Sequence, residues 1–180
     1  MLCGVDIETG GLSEFKNSIM SIGIVPLDEH YEPHSKIKPF YSEIYNKDFG
    51  DPDLGALKVN KLYNYQNFPD YKAVFLEFYK WWDLNKIGPI MAIGHNFANF
   101  DVGFVKFWLG INYREIFYRH IRDTQILGQV LMDCGLYSGS ISLEAMCKSF
   151  EINYGNHNAL EDAISSARLY KKIIDRLKNN

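Results

Sequence analysis

Three strand-like runs crowd into the first 44 residues before any helical period appears, and after residue 70 helix and strand alternate. The first run is LCGVDI, beginning at Leu2. The second, SIMSIGIVPLD (18–28), alternates and then breaks at Pro26. The third, KIKPFYSEI (36–44), carries Pro39 and so belongs near a sheet edge, where a missing N–H is tolerated. Residues 45–70 mix Gly, Pro, Asp and Asn with scattered aromatics and read mostly as loop. YKAVFLEFYKWW then sets Tyr71, Val74, Phe75, Phe78 and Trp81 or Trp82 at helical spacing. GPIMAIGH (88–95) is a fourth strand with a polar tip, followed by a helix across 100–109. YRHIRD (118–123) is a short fifth strand and TQILGQVLM a helix. SISLEAMCKSF opens behind a serine cap, with Glu144 near the third helical position. NALEDAISSARLYKKIIDRL closes the chain as a long helix. Early strands followed by this alternation predict an α/β sandwich around a mixed sheet.

The 180 residues suit one domain, 1–180, with a core of its own. No apolar run approaches the ~20 residues needed to span a bilayer, so no membrane role is expected. A strand beginning at Leu2 leaves no room for a secretory leader. Cys3, Cys134 and Cys147 are odd in number and lack metal-ligand pairing, which favours a reducing cytoplasm over disulfides or zinc. The net charge of -3 gives no global basic field. That weighs mildly against a large docked nucleic acid and little against a small cleft holding one chain end.

Three constellations carry chemistry. In VDIETGG, Asp6 and Glu8 are two apart in a strand and therefore share a face, beside an otherwise apolar run. Their mutual repulsion is best relieved by a divalent cation, because hard metals take carboxylate oxygens. Alone, the pair would read as a polar strand end before a Thr-Gly-Gly turn. In GHNFANFDVGF, His95 and Asn96 stand at the tip of the fourth strand and Asp101 lies early in the next helix, where carboxylates also serve as ordinary caps. In HNALEDA, Asn158 caps the last helix, Asp162 falls in its first turn, and His157 stands just outside it. Taken alone, His157 would be an exposed loop histidine.

Together, Asp-x-Glu, Asp and His-x4-Asp in this order resemble the DEDDh (DnaQ-like) 3′→5′ exonuclease family over nearly the whole chain. DIETGG resembles its first motif, HNFANFD its second and HNALEDA its third. IRDTQILGQVLM, SLEAMCKSFEI and ALKVNKL (56–62) are softer matches, the last to a segment lining the substrate cleft. The spacing between the Asn96 and Asp101 equivalents varies within the family.

The resemblance implies a ribonuclease H-like three-layer sandwich with a five-stranded mixed sheet. It implies Asp6, Glu8, Asp101 and Asp162 as ligands of two Mg²⁺ ions, with Mn²⁺ a plausible substitute, and His157 as the general base. It gives Thr9, Gly10, Gly11 and Leu12 to the terminal nucleotide and adds Asn60, Asn96 and Phe100 as substrate-binding residues. Phe97 and Phe100 are candidates for base stacking, with core packing an equal alternative. Tyr41, Tyr45, Phe49, Tyr63, Tyr65 and Phe68 could form a stacking platform, but ordinary packing is preferred. For Arg168, Lys172 and Arg176 on the last helix, a solvated face is preferred over phosphate contact. The implied activity is removal of nucleoside 5′-monophosphates from the 3′ end of single-stranded DNA. The alternative is trimming of RNA or short oligoribonucleotides, as in ribonuclease T or oligoribonuclease. A reading from another class, a nucleic-acid-binding module without catalysis, is disfavoured by the complete acidic set. Proofreading or repair would require a separate polymerase or replication partner, and a homodimer is compatible.

Overall fold

The computed structural model describes residues 1–155 and 157–179. β1 (Leu2–Thr9), β2 (Ile19–Pro26), β3 (Phe40–Glu43), β4 (Met91–Gly94) and β5 (Arg122–Asp123) form one five-stranded sheet in the order β3-β2-β1-β4-β5. β1 and β2, and β2 and β3, pair antiparallel, whereas β4 runs parallel to both β1 and β5. The mixed sheet expected from the element order is present. The helices are α1 (Leu54–Asn60), α2 (Tyr71–Leu84), α3 (Asp101–Leu109), α4 (Tyr113–Ile116), α5 (Thr124–Asp133), α6 (Leu143–Ser149) and α7 (Ala159–Lys178).

Strand alternation sorts the first two strands onto two faces. Cys3, Val5 and Ile7 of β1, with Ile22 and Ile24 of β2, pack in one core with Val74 and Phe78 of α2 and Phe104 and Val105 of α3. Each such fully buried side chain contributes about 1.5–3 kcal/mol relative to exposure. On the other face, α7 lies against Val25, Leu27 and Ile93 through Ala163 and Ala167. Glycine permits this close approach: a Cβ at Gly4 would collide with the carbonyl of Ala163, and one at Gly23 with that of Ala159. A further apolar cluster, Leu131, Met146, Cys147, Phe150, Leu169 and Ile173, joins α5, α6 and α7.

Several elements differ from expectation. The 45–70 segment contains α1 and a 3₁₀ turn, Tyr65–Asn67. Only Leu57 and Asn60 of α1 are buried, so it carries no apolar stripe to read. β3 covers four residues and β5 two, shorter than their apolar runs, because Tyr118, Arg119 and His120 are exposed and only Arg122 and Asp123 pair with β4. A 3₁₀ turn, Gly110–Asn112, and α4 also follow α3. Both expected caps are made. Ser142 accepts from the Ala145 N–H at 3.3 Å, and Asn158 accepts from Leu160 and Glu161 at 3.1 and 3.2 Å. On α7, Arg168 pairs with Glu32 at 2.8 Å, and Arg176 lies 4.4 Å over the Phe150 ring and donates to the Leu136 carbonyl. The solvated face expected there therefore applies to Lys172, not to the two arginines, which are fastened to the protein. Cys3 and Cys147 are buried thiols and Cys134 an exposed one. Among the described residues no helix is long and apolar enough to cross a membrane.

Candidate active site

The candidate side chains are delivered by strand ends, turns and helix caps, one of them fixed by a carboxylate distant in sequence. Asp6 and Glu8 lie opposite Gly23 and Ser21 of β2, and the register slips between Glu8 and Thr9, where the chain leaves the sheet. Past β4, Asn96 takes a left-handed conformation with φ 60°. The Asp123 carboxylate fixes that turn, accepting from the N–H groups of Asn96 and Ala98 at 3.0 and 2.9 Å. The same carboxylate caps α5 through Gln125 and Ile126. The turn returns the chain so that Asp101 opens α3. Asp162 sits in the first turn of α7 and accepts the His157 N–H at 3.1 Å. His157 holds φ 63°, a left-handed conformation uncommon for a residue with a Cβ.

Asp6, Glu8, Asp101, Asp162 and His157 line one cavity of about 270 Å³. Like charges at close quarters and burial together disfavour ionisation. Burial, then Asp101, Glu8 and Asp162, hold Asp6 far above the usual carboxylate range. Burial, then Asp162 and Asp101, push Glu8 up to about 8. Burial raises Asp101 to about 7 against the lowering pull of its own N–H and that of Ile7, with Asp123 adding to the rise. Burial raises Asp162 to about 6, opposed by the N–H dipoles of His157 and Gly155. Among the described residues no lysine or arginine forms an ion pair with any of the four.

This donor set fits a hard divalent cation. It is all carboxylate oxygen, and Asp162 Oδ1 is buried without a hydrogen-bond partner. Glu8 and Asp162, together with a ring nitrogen of His157, the residue expected as base and not as ligand, have candidate ligand atoms all within 4.8 Å of one another, a group that does not include Asp6 or Asp101.

The remaining expected residues divide. Leu12 is 85% exposed at the turn after β1. The Thr9 hydroxyl donates to the Gly11 carbonyl at 2.7 Å, and Gly10 is held by bonds with Ser18 and Asp53, so the turn is built from its own backbone. Asn60 is buried behind that turn, its amide donating to the Thr9 carbonyl at 3.2 Å and its Oδ1 accepting from Leu62. Asn96 and Phe100 line the cavity, as does His95, whose ring is tied to Thr124 and to the Ile141 carbonyl. Burial lowers the His95 pKa, opposed by the Ile141 carbonyl and Asp123. Phe97 is fully buried and stacked on Phe117, which removes it as a base-stacking candidate and assigns it to the core. The six aromatics do not share one platform: Phe49 meets Phe107, Tyr45 meets Tyr65, and Tyr41 and Tyr63 are exposed.

Sequence reasoning missed Tyr154, Ser142, Leu143 and Glu144, which also line the cavity, and the positioning carboxylate Asp123. A tyrosine three residues before the motif histidine was the available signal for Tyr154; the α6 residues gave none beyond the serine cap.

A five-stranded mixed sheet with a four-carboxylate cleft above its central strand defines a ribonuclease H-like nuclease fold. The sequence profile of the RNase_T exonuclease family matches residues 3–170, and the chain belongs to that family. A comparison with curated protein sequences finds no match. Among solved structures, the chain is similar to E. coli Exonuclease I in complex with a dT13 oligonucleotide, at 16% identity and a TM-score of 0.75, over 99% of this chain and 42% of that one. It is similar to the zinc ion bound form of the E. coli ExoI–ssDNA complex at 15% identity and a TM-score of 0.77, over 98% and 41%. Cell-death related nuclease 4 (CRN-4) matches at 13% identity and a TM-score of 0.69, over 97% and 63%. The chain thus spans about two fifths of the length of the Exonuclease I structures it matches.

Proposed function

We propose that the chain is a divalent-metal-dependent 3′→5′ exonuclease that hydrolyses single-stranded DNA from its 3′ end and releases nucleoside 5′-monophosphates. The observation that carries this reading is the gathering of Asp6, Glu8, Asp101 and Asp162, without an ion-paired cation among the described residues, in a cleft open to solvent through the His157 side. The choice of DNA is supported by the dT13 and ssDNA complexes of Exonuclease I. Asp6, Glu8, Asp101 and Asp162 would hold two Mg²⁺ ions. When bound, such ions stabilise the attacking and leaving oxygens of an in-line displacement at phosphorus. His157 accepts the proton of the attacking water; its backbone N–H is bonded to Asp162, and its exposed ring stands beside the Glu8 and Asp162 carboxylates with the Tyr154 hydroxyl 3.5 Å away. The turn at Thr9–Leu12 closes over the terminal nucleotide, with Leu12 and Phe100 offering apolar contact and Asn60 holding the turn from behind. Asn96 lines the opposite wall.

The test is a 5′-labelled single-stranded DNA and its RNA counterpart, incubated with protein and Mg²⁺ against an EDTA control. A descending ladder that EDTA abolishes and a 3′-phosphate slows is expected, with DNA the faster substrate. Cutting of circular single strands would mark an endonuclease and overturn the reading. Faster digestion of RNA would overturn the choice of sugar alone.

A further inference from the structure

We propose that Tyr154 is a positioning residue that holds the His157 imidazole over the Glu8–Asp162 edge of the carboxylate cleft; this rests on the exonuclease reading of that cleft. Two kinds of anchorage meet here. The His157 backbone is fixed, by its left-handed turn and its N–H bond to Asp162, but its side chain is exposed. An exposed imidazole on a loop samples several rotamers, and a base that wanders is a poor base. The Tyr154 ring, in contrast, is packed against the apolar cluster that joins α5, α6 and α7, and its hydroxyl end emerges among the cavity-lining residues. A side chain anchored in a core and tipped with oxygen can act as a fixed stop for a mobile neighbour.

The geometry fits that use. The phenolic oxygen lies 3.5 Å from both Nδ1 and Nε2 of His157, and the two rings meet edge to face at 84° with centroids 5.9 Å apart. Contacts of this length tighten when substrate arrives in sites that are loose beforehand. An oxygen equally distant from both ring nitrogens lies along neither N–H direction, so the phenol bears on the ring as a stop and leaves the unprotonated nitrogen of the neutral imidazole bare to take a proton. Burial and the surrounding carboxylates Asp162, Glu8 and Asp6 push the Tyr154 phenol upward, so it keeps its proton and stays uncharged beside the anions. His157 has ring nitrogen within 4.8 Å of the Glu8 and Asp162 oxygens in this arrangement. Tyr154 itself does not need to touch the reacting phosphate to matter.

Tyr154→Phe removes only the hydroxyl and leaves the packed ring, so the fold is retained. Residues that orient a functional histidine in this way are worth roughly 10–100-fold. Turnover of a single-stranded oligonucleotide should fall by about that factor, with KM and Mn²⁺ affinity unchanged. In a His157→Ala background the same substitution should do nothing further. Equal losses in both backgrounds would show that Tyr154 acts independently of His157, and unchanged turnover would show that the hydroxyl is idle; either overturns the proposal. A second readout needs no activity. In the metal-free protein, imidazole nitrogen-15 signals of the five histidines should change at His157 alone on Tyr154→Phe. Unaltered His157 signals would overturn the positioning role. If the native chain released no mononucleotides at all, the exonuclease reading would fall while the spectrum still decided what Tyr154 does to the ring.

Discussion

Two clefts of opposite character lie on this molecule. The larger, about 600 Å³, is walled by Phe15, Phe49, Tyr71, Phe104, Phe107 and Trp108. The smaller, about 270 Å³, is walled by carboxylates. Size and apolar lining are the usual marks of a binding site, and by those marks the larger cleft would be chosen. Of its titratable residues, Glu14, Lys16, Asp48 and Tyr71, the last two satisfy each other, the Tyr71 hydroxyl donating to the Asp48 carboxylate at 3.0 Å. In the smaller cleft Asp6, Glu8, Asp101 and Asp162 are all held above the usual carboxylate range, Glu8 raised to about 8 and Asp101 to about 7. The proposed site is thus marked by electrostatic frustration and not by volume.

The largest effect that separates the two clefts should come from removing one acid. Asp6→Asn or Asp162→Asn is expected to lower turnover by roughly 10³-fold, about 4 kcal/mol of barrier. Calorimetric titration should show Mn²⁺ binding collapsing in parallel. Intact Mn²⁺ binding in both variants would detach the metal from this cleft.

A smaller effect should appear in stability without metal. The folded-state pKa values of Asp162, Asp101 and Glu8, about 6, 7 and 8, exceed the ordinary 3.8 and 4.5, so the folded chain holds protons that the unfolded chain releases. Their contribution is therefore fully favourable below pH ~4 and is withdrawn as pH rises through those values. The melting temperature in EDTA should fall between mildly acidic and mildly alkaline pH, and Glu8→Gln should flatten the fall. A melting temperature that instead rose across this window would mean the acids are compensated by a partner. Saturating Mn²⁺ should reverse the trend, because a bound cation inverts the local preference for the neutral form.

The smallest effect is expected in the large cleft. Phe107 is 52% exposed there, and Phe107→Ala should change kcat/KM by less than about twofold and stability within roughly 1 kcal/mol. A large loss of activity with normal folding would bring the aromatic cleft into the substrate path and end the contrast.

Much of this was legible because the relevant signals are local. Asp6 and Glu8 declare a shared face through strand alternation alone, and Asn158 declares the start of α7 by its cap. Asp101 was legible as the start of a helix, though the left-handed turn at Asn96 that aims it depends on Asp123, 27 residues away in sequence. Tertiary relations of that kind leave no mark on a short window. α1 went unread because two buried residues in seven make no period, and β5 was overextended because an apolar-looking run pairs only at its end. Phe97 and Phe100 show the limit of residue type: two phenylalanines three apart, one sealed in the core and one at the cavity wall.

The glycines under α7 have a consequence for how damage to this protein would be distributed. Asp162 rides on a helix whose standoff from β1 and β2 is set by two absent methyl groups, at Gly4 and at Gly23, and Gly23 is the residue paired with Asp6. A methyl at either position acts as a shim: it lifts one jaw of the cleft, and Asp162 with it, away from Asp6 and Glu8 while every carboxylate is retained. In a saturation screen scored on activity, both positions should be intolerant even of alanine, since the Cβ alone meets the α7 backbone. Two residues with no side chain would thus be scored as part of the catalytic apparatus, because they set its gauge.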